Sequence, residues 1–365
     1  MKILIGFSYY KYPVDVYETL TKWVERLRSA GFDIDLFPLT IDPPGPPFWW
    51  KQLDKSWKLG DRKLLSMYEK LALEVEKYDV FLNLNGINLH PNFVATLPTV
   101  NIYACFDDPE ASERLSKPVA ASYDLCLVGN IAEIETYKSW GVKKAEFWPL
   151  GFMATDFDPN LTEEQILYGE REEEITLLCE KKYFPERIKR LDFFANNFPN
   201  GNYFGPGWNN GFLSEKERIP LYLKTKIGPN FHNSTGPINL RTYSLPACGV
   251  MQVCDNKSHL GKIFELDKEV VGFDTVAEAV EKVKYYLAHD DERRKIAAAG
   301  WKRSLKDYNE ISVFGLVEKY SEDLVKSKVK SKISPHSKLI NQRIFSIPNK
   351  ISYIIRNKIS PERHL

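Results

Sequence analysis

The chain is poor in the residues that staple or metallate small folds. Its five cysteines, Cys105, Cys126, Cys179, Cys248 and Cys254, are an odd number without C-x-x-C spacing, which excludes a disulfide framework or a cysteine-built zinc site and leaves buried, reduced thiols as the expectation. The six histidines show no ligand spacing. No G-x-G-x-x-G follows the first strand-like segment, against a dinucleotide oxidoreductase. No run approaches the roughly 20 apolar residues of a membrane span, and the apolar segment after Met1-Lys2 is too short for a signal peptide, so a cytoplasmic protein is expected. Nor is there a recognisable nucleic-acid-binding module, and most of the chain is acidic, so nucleic acid is not an expected partner.

What is present is an ordinary globular composition, 43% hydrophobic and 27% charged over 365 residues, enough for two domains. Lys2-Ile3-Leu4-Ile5-Gly6-Phe7 reads as a buried parallel strand. A helix from about Val14 to Ala30 follows, ending at Gly31, and then Phe32–Phe37 alternates as a second strand. Further strands are expected at Val80–Leu84, Thr99–Cys105, Leu125–Val128 and Ala145–Pro149. Strands alternating with helices indicate an α/β fold. A polar stretch from about Phe152 to Glu174 reads as a linker, after which Ile175-Thr176-Leu177-Leu178-Cys179 opens a second α/β half.

The most informative segment runs from Asn230 to Asp255. It reads as a polar loop, a short helix and a buried strand, Val250-Met251-Gln252-Val253-Cys254. Ser234 and Thr235 are placed to cap backbone N–H groups, Pro237 fits a first helical turn, and Gly249 supplies a left-handed stop. The positive end of such a helix, reinforced by Arg241 one turn along, suits a diphosphate. An ordinary capped helix whose arginine makes a surface ion pair fits the same pattern.

The run Ile238–Asp255, with Glu265, Glu269, Lys284-Tyr285-Tyr286-Leu287-Ala288-His289 and Arg293–Gly300, resembles the C-terminal domain of the CgeB-like branch of GT-B glycosyltransferases. The likeness covers roughly residues 225 to 320. It implies a GT-B architecture of two Rossmann-like domains facing across a cleft, here 1–155 for the acceptor and 156–325 for a nucleoside-diphosphate-sugar donor, with a 326–365 tail. It further implies glycosyl transfer without a built-in metal motif or cofactor, to a glycan, lipid-linked or small-molecule acceptor, with retention at the anomeric carbon the expectation by fold analogy. Within the segment, His232, Ser234, Thr235, Gly236, Asn239, Arg241 and Ser244 become donor-site candidates. Relatives usually carry a glutamate where this chain has Ser244, and serine offers a ribose one neutral hydrogen bond rather than a bidentate, charge-assisted pair. A silent nucleotide- or glycan-binding protein and a nucleotide-sugar epimerase of the same fold therefore stand as alternatives.

Other candidates flank this segment. Lys182 and Arg187 lie in the first loop and helix of the second half, where basic groups of similar glycosyltransferases neutralise the leaving diphosphate, although charge runs are also ordinary solvated faces. Gly205-Pro206-Gly207-Trp208 forms a tight strand exit, with Gly207 allowing the turn and Trp208 placed to cover a nucleobase. In the first half Asp107 and Asp108 follow a strand at the carboxyl edge, where open α/β sheets bind ligands. A carboxylate there can take the acceptor hydroxyl's proton or stabilise an oxocarbenium-like transition state. An Asp-Pro turn that caps the next helix is the structural alternative. Tyr9, Trp49 and Trp50 are candidate acceptor contacts because flat aromatic faces pack on sugar rings, or else they anchor their own loops.

Charge is concentrated at the end. Residues 326–365 hold ten Lys or Arg against Glu362 alone, a charge of +9 in a chain of +1, leaving about −8 on residues 1–325. Ile340, Ile344, Ile347, Ile351, Ile354 and Ile355 recur there at near-helical spacing, with Pro348 expected to break one helix into two. Such a stretch either lies on an anionic membrane surface, which would place the protein at the inner face of the membrane, or packs back on the N-terminal domain.

Overall fold

The computed structural model describes residues 1–8, 16–41, 49–85, 88–328 and 334–359. Two compact units emerge. The first comprises Met1–Gly129, Ile134–Phe147 and Leu316–Leu365; the second comprises Asn130–Glu133 and Trp148–Gly315.

The first unit is built on a six-stranded parallel sheet of β1 (Lys2–Phe7), β2 (Asp33–Pro38), β3 (Val80–Leu84), β4 (Val100–Cys105), β5 (Leu125–Val128) and β6 (Ala145–Phe147), in the order β2-β1-β3-β4-β5-β6. β4 is buried along its whole length, as a strand covered on both faces must be. The helix Val16–Ser29 that returns the chain from β1 to β2 buries Leu20, Trp23, Val24 and Leu27, one stripe at helical spacing.

The second unit repeats the plan with five parallel strands, β7 (Glu173–Leu178), β8 (Asn202–Phe204), β9 (Thr225–Asn230), β10 (Met251–Cys254) and β11 (Val271–Gly272), ordered β11-β10-β9-β7-β8. Counted from its own first strand, the order is again 2-1-3-4-5. Each sheet therefore has a switch point, between β1 and β3 and between β7 and β9, and ligands of open α/β sheets sit outside the carboxyl ends of strands at such points.

Three expectations change. The stretch read as a linker holds a helix, Glu163–Tyr168, started by a capping box between Thr162 and Gln165 and anchored by the fully buried Ile166. Charged neighbours hid that single apolar anchor. The short helix of the second unit begins at Arg241 and ends at Ala247, later than its loop chemistry indicated. In the basic tail the break falls at Ser346, between helices Pro335–Phe345 and Ile347–Ile359, because Pro348 is tolerated in the first turn of the second helix. All five cysteines are buried and free, as expected.

The tail is part of the first unit. Leu339 is 1% exposed within its apolar core, Gln342 Nε2 donates to the Trp57 carbonyl at 2.5 Å, Asn349 Nδ2 donates to the Lys58 carbonyl at 3.2 Å, and Arg343 pairs with Glu69 at 2.5 Å. Among the described residues no helix is long and apolar enough to cross a membrane.

Candidate functional site

The second unit's switch point is closed by one side chain. Arg241 donates from Nε to Asn230 Oδ1 (3.1 Å), at the end of β9, and from Nη1 to the Leu178 carbonyl (2.8 Å), at the end of β7. It thus spans the two strands at which the order reverses. Asn230 is fully buried and donates from Nδ2 to Gln252 Oε1 at 2.9 Å and to Asn239 Oδ1 at 3.2 Å. Asn239 Nδ2 donates back to Asn230 Oδ1 at 2.9 Å, and its Oδ1 accepts from the Thr242 backbone N–H at 3.1 Å. A satisfied network of this kind fixes Arg241 before any ligand arrives.

The side chain bonded to the helix's first turn is therefore that of Asn239, one position before the N-cap residue Leu240. Ser234 and Thr235, expected as caps, instead face residues 130–133. Asn130 Nδ2 donates to the two hydroxyls at 2.8 and 3.1 Å, and Thr235 Oγ1 donates to Glu133 Oε1 at 2.6 Å. Gly236 is packed so closely on Asn130 that a Cβ would lie 2.1 Å from its Oδ1. The sequence offered hydroxyls at the right spacing, but residues a hundred positions upstream compete for them. Pro237 lies in the loop before the helix rather than in its first turn. Gly249, at φ +64°, does end the helix. Ser244 is buried inside it, 2% exposed.

Beside Arg241 lies a second polar centre. His232 is buried, its Nδ1 paired with Asp255 Oδ1 at 2.6 Å, and its backbone N–H donates to Asp255 Oδ2 at 2.8 Å. Arg190 closes the group from the helix Pro185–Asn197, donating to Asp255 Oδ2 at 3.2 Å and to the His232 carbonyl at 2.8 Å. Burial outweighs the adjacent carboxylate and lowers the His232 pKa, so the ring is neutral; with Nδ1–H given to Asp255, Nε2 accepts from Thr242 Oγ1 at 3.3 Å. His232, Cys254 and Asp255 are the one group of potential metal-ligating side chains among the described residues, with ligand atoms all within 4.8 Å of one another. Both Asp255 oxygens and the histidine Nδ1 are already committed to the bonds just given, and burial pushes the Cys254 thiol pKa well up.

Arg187 is 7% exposed one turn before Arg190, and its Nη1 donates to the Glu180 carbonyl at 2.9 Å. Its Nε is buried with no hydrogen-bond partner. Burial first, and then the guanidinium of Arg241, lower its pKa from the ordinary arginine value. Lys182 is exposed on the adjoining loop, where Tyr183 takes φ 65°, a conformation uncommon for a bulky residue and concentrated at functional sites. Gly207, at φ +94°, lets the β8 exit lie against that loop: a Cβ there would sit 2.3 Å from the Lys181 carbonyl. Trp208 is occupied within the unit. Its Nε1 donates to the Cys179 carbonyl at 2.9 Å, Tyr203 stacks on it at 5.0 Å, and the Lys181 ammonium lies 4.6 Å from its ring centre.

In the first unit the two aspartates part company. Asp107 is exposed at the carboxyl end of β4 and accepts from Asn85 Nδ2 at 2.9 Å, at the end of β3. Asp108 is 1% exposed, accepts from the Tyr137 hydroxyl at 2.5 Å, and has its pKa raised, chiefly by burial. Trp50 packs against the core and stacks on His90, while Trp49 is 40% exposed with the Arg114 guanidinium 4.6 Å from its ring centre. Tyr9 lies outside the described residues.

Residues 181–312 match a family model described as glycosyl transferase-like. The whole chain resembles solved two-domain structures. A sucrose-phosphate synthase from Thermosynechococcus elongatus is 13% identical with a TM-score of 0.63, over 90% of this chain and 100% of the other. HepE of Anabaena, solved in complex with UDP-glucose, is 12% identical with a TM-score of 0.56, over 88% and 100%. The fold is that of GT-B glycosyltransferases. A putative UDP-N-acetylglucosamine 2-epimerase from Listeria monocytogenes shares it, at 11% identity and a TM-score of 0.51 over 90% and 98%. No curated protein matches the sequence.

Arg190, Asn230, Thr242, Gln252 and Asp255 were not singled out from sequence. The available signal was register: Asn230 pairs with Cys254 across β9 and β10, which sets His232 and Asp255 at neighbouring strand ends.

Proposed function

We propose that this chain is a glycosyltransferase of the CgeB-like kind that moves a sugar from a uridine-diphosphate sugar to an acceptor hydroxyl in glycan biosynthesis, without a resident metal. The observation that carries the reading is Arg241 bridging Leu178 and Asn230 at the β7/β9 switch point, with Arg187 beside it. Cleavage of the anomeric bond develops negative charge on the diphosphate, and guanidinium groups held in place beforehand stabilise that charge more than they stabilise the intact donor. Lys182, on the adjoining exposed loop, adds a mobile charge. The Arg190–Asp255–His232 group is a positioning element that holds the loop after β9; in this reading His232 moves no proton.

The family match over residues 181–312 and the UDP-glucose complex of HepE favour a nucleotide-sugar donor. Asp107, accessible and oriented by Asn85, is the group proposed to act on the acceptor hydroxyl, whether that belongs to a glycan, a lipid-linked sugar or a small molecule. Asp108 supports the same turn from below through Tyr137.

Incubation with a panel of nucleotide sugars and acceptors tests the proposal. Acceptor-dependent release of nucleoside diphosphate is expected. Isomerised sugar without release would make the protein an epimerase, and binding without turnover would make it a silent module; either result overturns the transferase reading.

A further inference from the structure

A cavity of about 480 Å³ lies in the first unit between its edge strand β2 and the helix Arg62–Val75, apart from every group described above. That helix leads into the parallel strand β3, so its first turn stands at the carboxyl edge of the sheet, beside Pro38 at the end of β2. Phe37, Pro38 and Met67 supply the apolar part of the lining, and the volume falls within the range of small-molecule sites.

The charged part of the lining has one sign. Arg62, Lys63 and Lys70 are all the cations of the helix; each lines the cavity, and no Asp or Glu does among the described residues. The acids nearest in sequence are engaged elsewhere. Asp61 Oδ1 accepts from the Lys63 and Leu64 backbone N–H groups at 3.0 and 2.9 Å, Glu69 pairs with Arg343, and Glu74 pairs with Lys77 at 2.7 Å. Two of the three cations occupy the first turn, where the helix dipole disfavours positive charge and no acid offsets them within the helix. A local rule broken in this way is expected where the residues serve a ligand. Thr40 gives a second, independent sign: it lines the same cavity, and its Oγ1 is buried without a hydrogen-bond partner, whereas buried hydroxyls are ordinarily paired.

We propose that this cavity binds an organic anion, a phosphate or carboxylate carried on an apolar body. Arg62, Lys63, Lys70 and the Thr40 hydroxyl meet the oxyanion through charge-assisted hydrogen bonds, and Phe37, Pro38 and Met67 cover the apolar body. The inference stands independently of glycosyl transfer, because binding is read without turnover and in the unit that does not carry Arg241.

The test is titration calorimetry of the full chain with hexyl phosphate, inorganic phosphate and hexanol. Hexyl phosphate is expected to bind about tenfold or more tighter than hexanol, which lacks the charge, and than inorganic phosphate, which lacks the apolar body. Arg62→Gln, Lys63→Gln and Lys70→Gln together should weaken hexyl phosphate by about tenfold or more without lowering the thermal melt, since two of these changes remove cations from the positive end of a helix. Should that variant melt early, Thr40→Val decides: it keeps the shape of the side chain, removes a hydroxyl that bonds to nothing in the protein, and should weaken binding about tenfold with the melt in place. Arg241→Ala should leave hexyl phosphate binding unchanged. The proposal is overturned if hexyl phosphate binds no more tightly than hexanol or inorganic phosphate, or if neither the triple variant nor Thr40→Val weakens it. It is equally overturned if Arg241→Ala abolishes the binding, since the second unit's edge would then be the site of the probe.

Discussion

The two sheets share one strand order and carry opposite chemistry at the same edge. Outside the carboxyl ends of the second, Arg187, Arg190 and Arg241 lie near a single buried carboxylate, Asp255, already shared between Arg190 and His232, with Lys182 exposed on the adjoining loop. Outside the first lie amides and acids: Asn83 buried at the end of β3, Asn85 bonded to Asp107, and Asp108 beneath. Topology therefore fixes where a ligand sits, while edge residues determine which ligand it is. A cationic edge suits a diphosphate; an acidic, partly exposed one suits a hydroxyl that must lose a proton.

The comparison breaks most sharply if the acidic edge proves idle. Asp107→Asn should lower turnover by about 10²–10⁴-fold, the range of a general base, with folding intact. Full activity would remove Asp107 from the mechanism. Next in size is Asp255→Ala, which leaves Arg190 and the His232 N–H groups without their buried partner. A loss of about 3–5 kcal/mol in urea unfolding is expected, whereas Asp107→Ala, which frees only an exposed amide, should cost less than about 1 kcal/mol. Equal costs would contradict the assignment of Asp255 as a structural anchor.

The smallest effect concerns pH. His90 is stacked between Trp50 and Trp57, and burial lowers its pKa to about 4 despite Asp54 at 3.5 Å. Below pH 6.5 the unfolded chain takes up a proton that the folded ring refuses until about pH 4, so stability should fall as pH falls through that window. His232 shifts in the same direction. His90→Gln should flatten the profile of urea midpoints between pH 7.5 and 4.5, and an unchanged slope would show that the ring takes up its proton as readily in the fold as in the unfolded chain.

Much of this was legible in the amino-acid order. Val80–Leu84 and Leu125–Val128 were bounded correctly because they are short apolar runs between polar turns, and the helix stop at Gly249 rested on a residue that tolerates positive φ. Illegible features depended on distant partners. Ser234 and Thr235 have cap chemistry, but Asn130 and Glu133 claim their hydroxyls; Asp107 and Asp108 are neighbours in sequence, yet the turn after β4 leaves one exposed and buries the other against Tyr137. The tail presented two competing readings, a membrane surface and packing on the N-terminal domain, and its helices pack on the first unit through Leu339, Gln342, Arg343 and Asn349.

The central claim is that the second unit's cationic edge grips a nucleoside diphosphate, and titration calorimetry with UDP tests it directly. The account predicts binding by the wild-type chain that Arg241→Ala weakens by about 1.5–3 kcal/mol, as expected for a lost hydrogen bond to a charged group, with Arg241→Lys intermediate. Equal affinity in wild type and Arg241→Ala, or no binding of UDP to a folded wild-type chain, would contradict it.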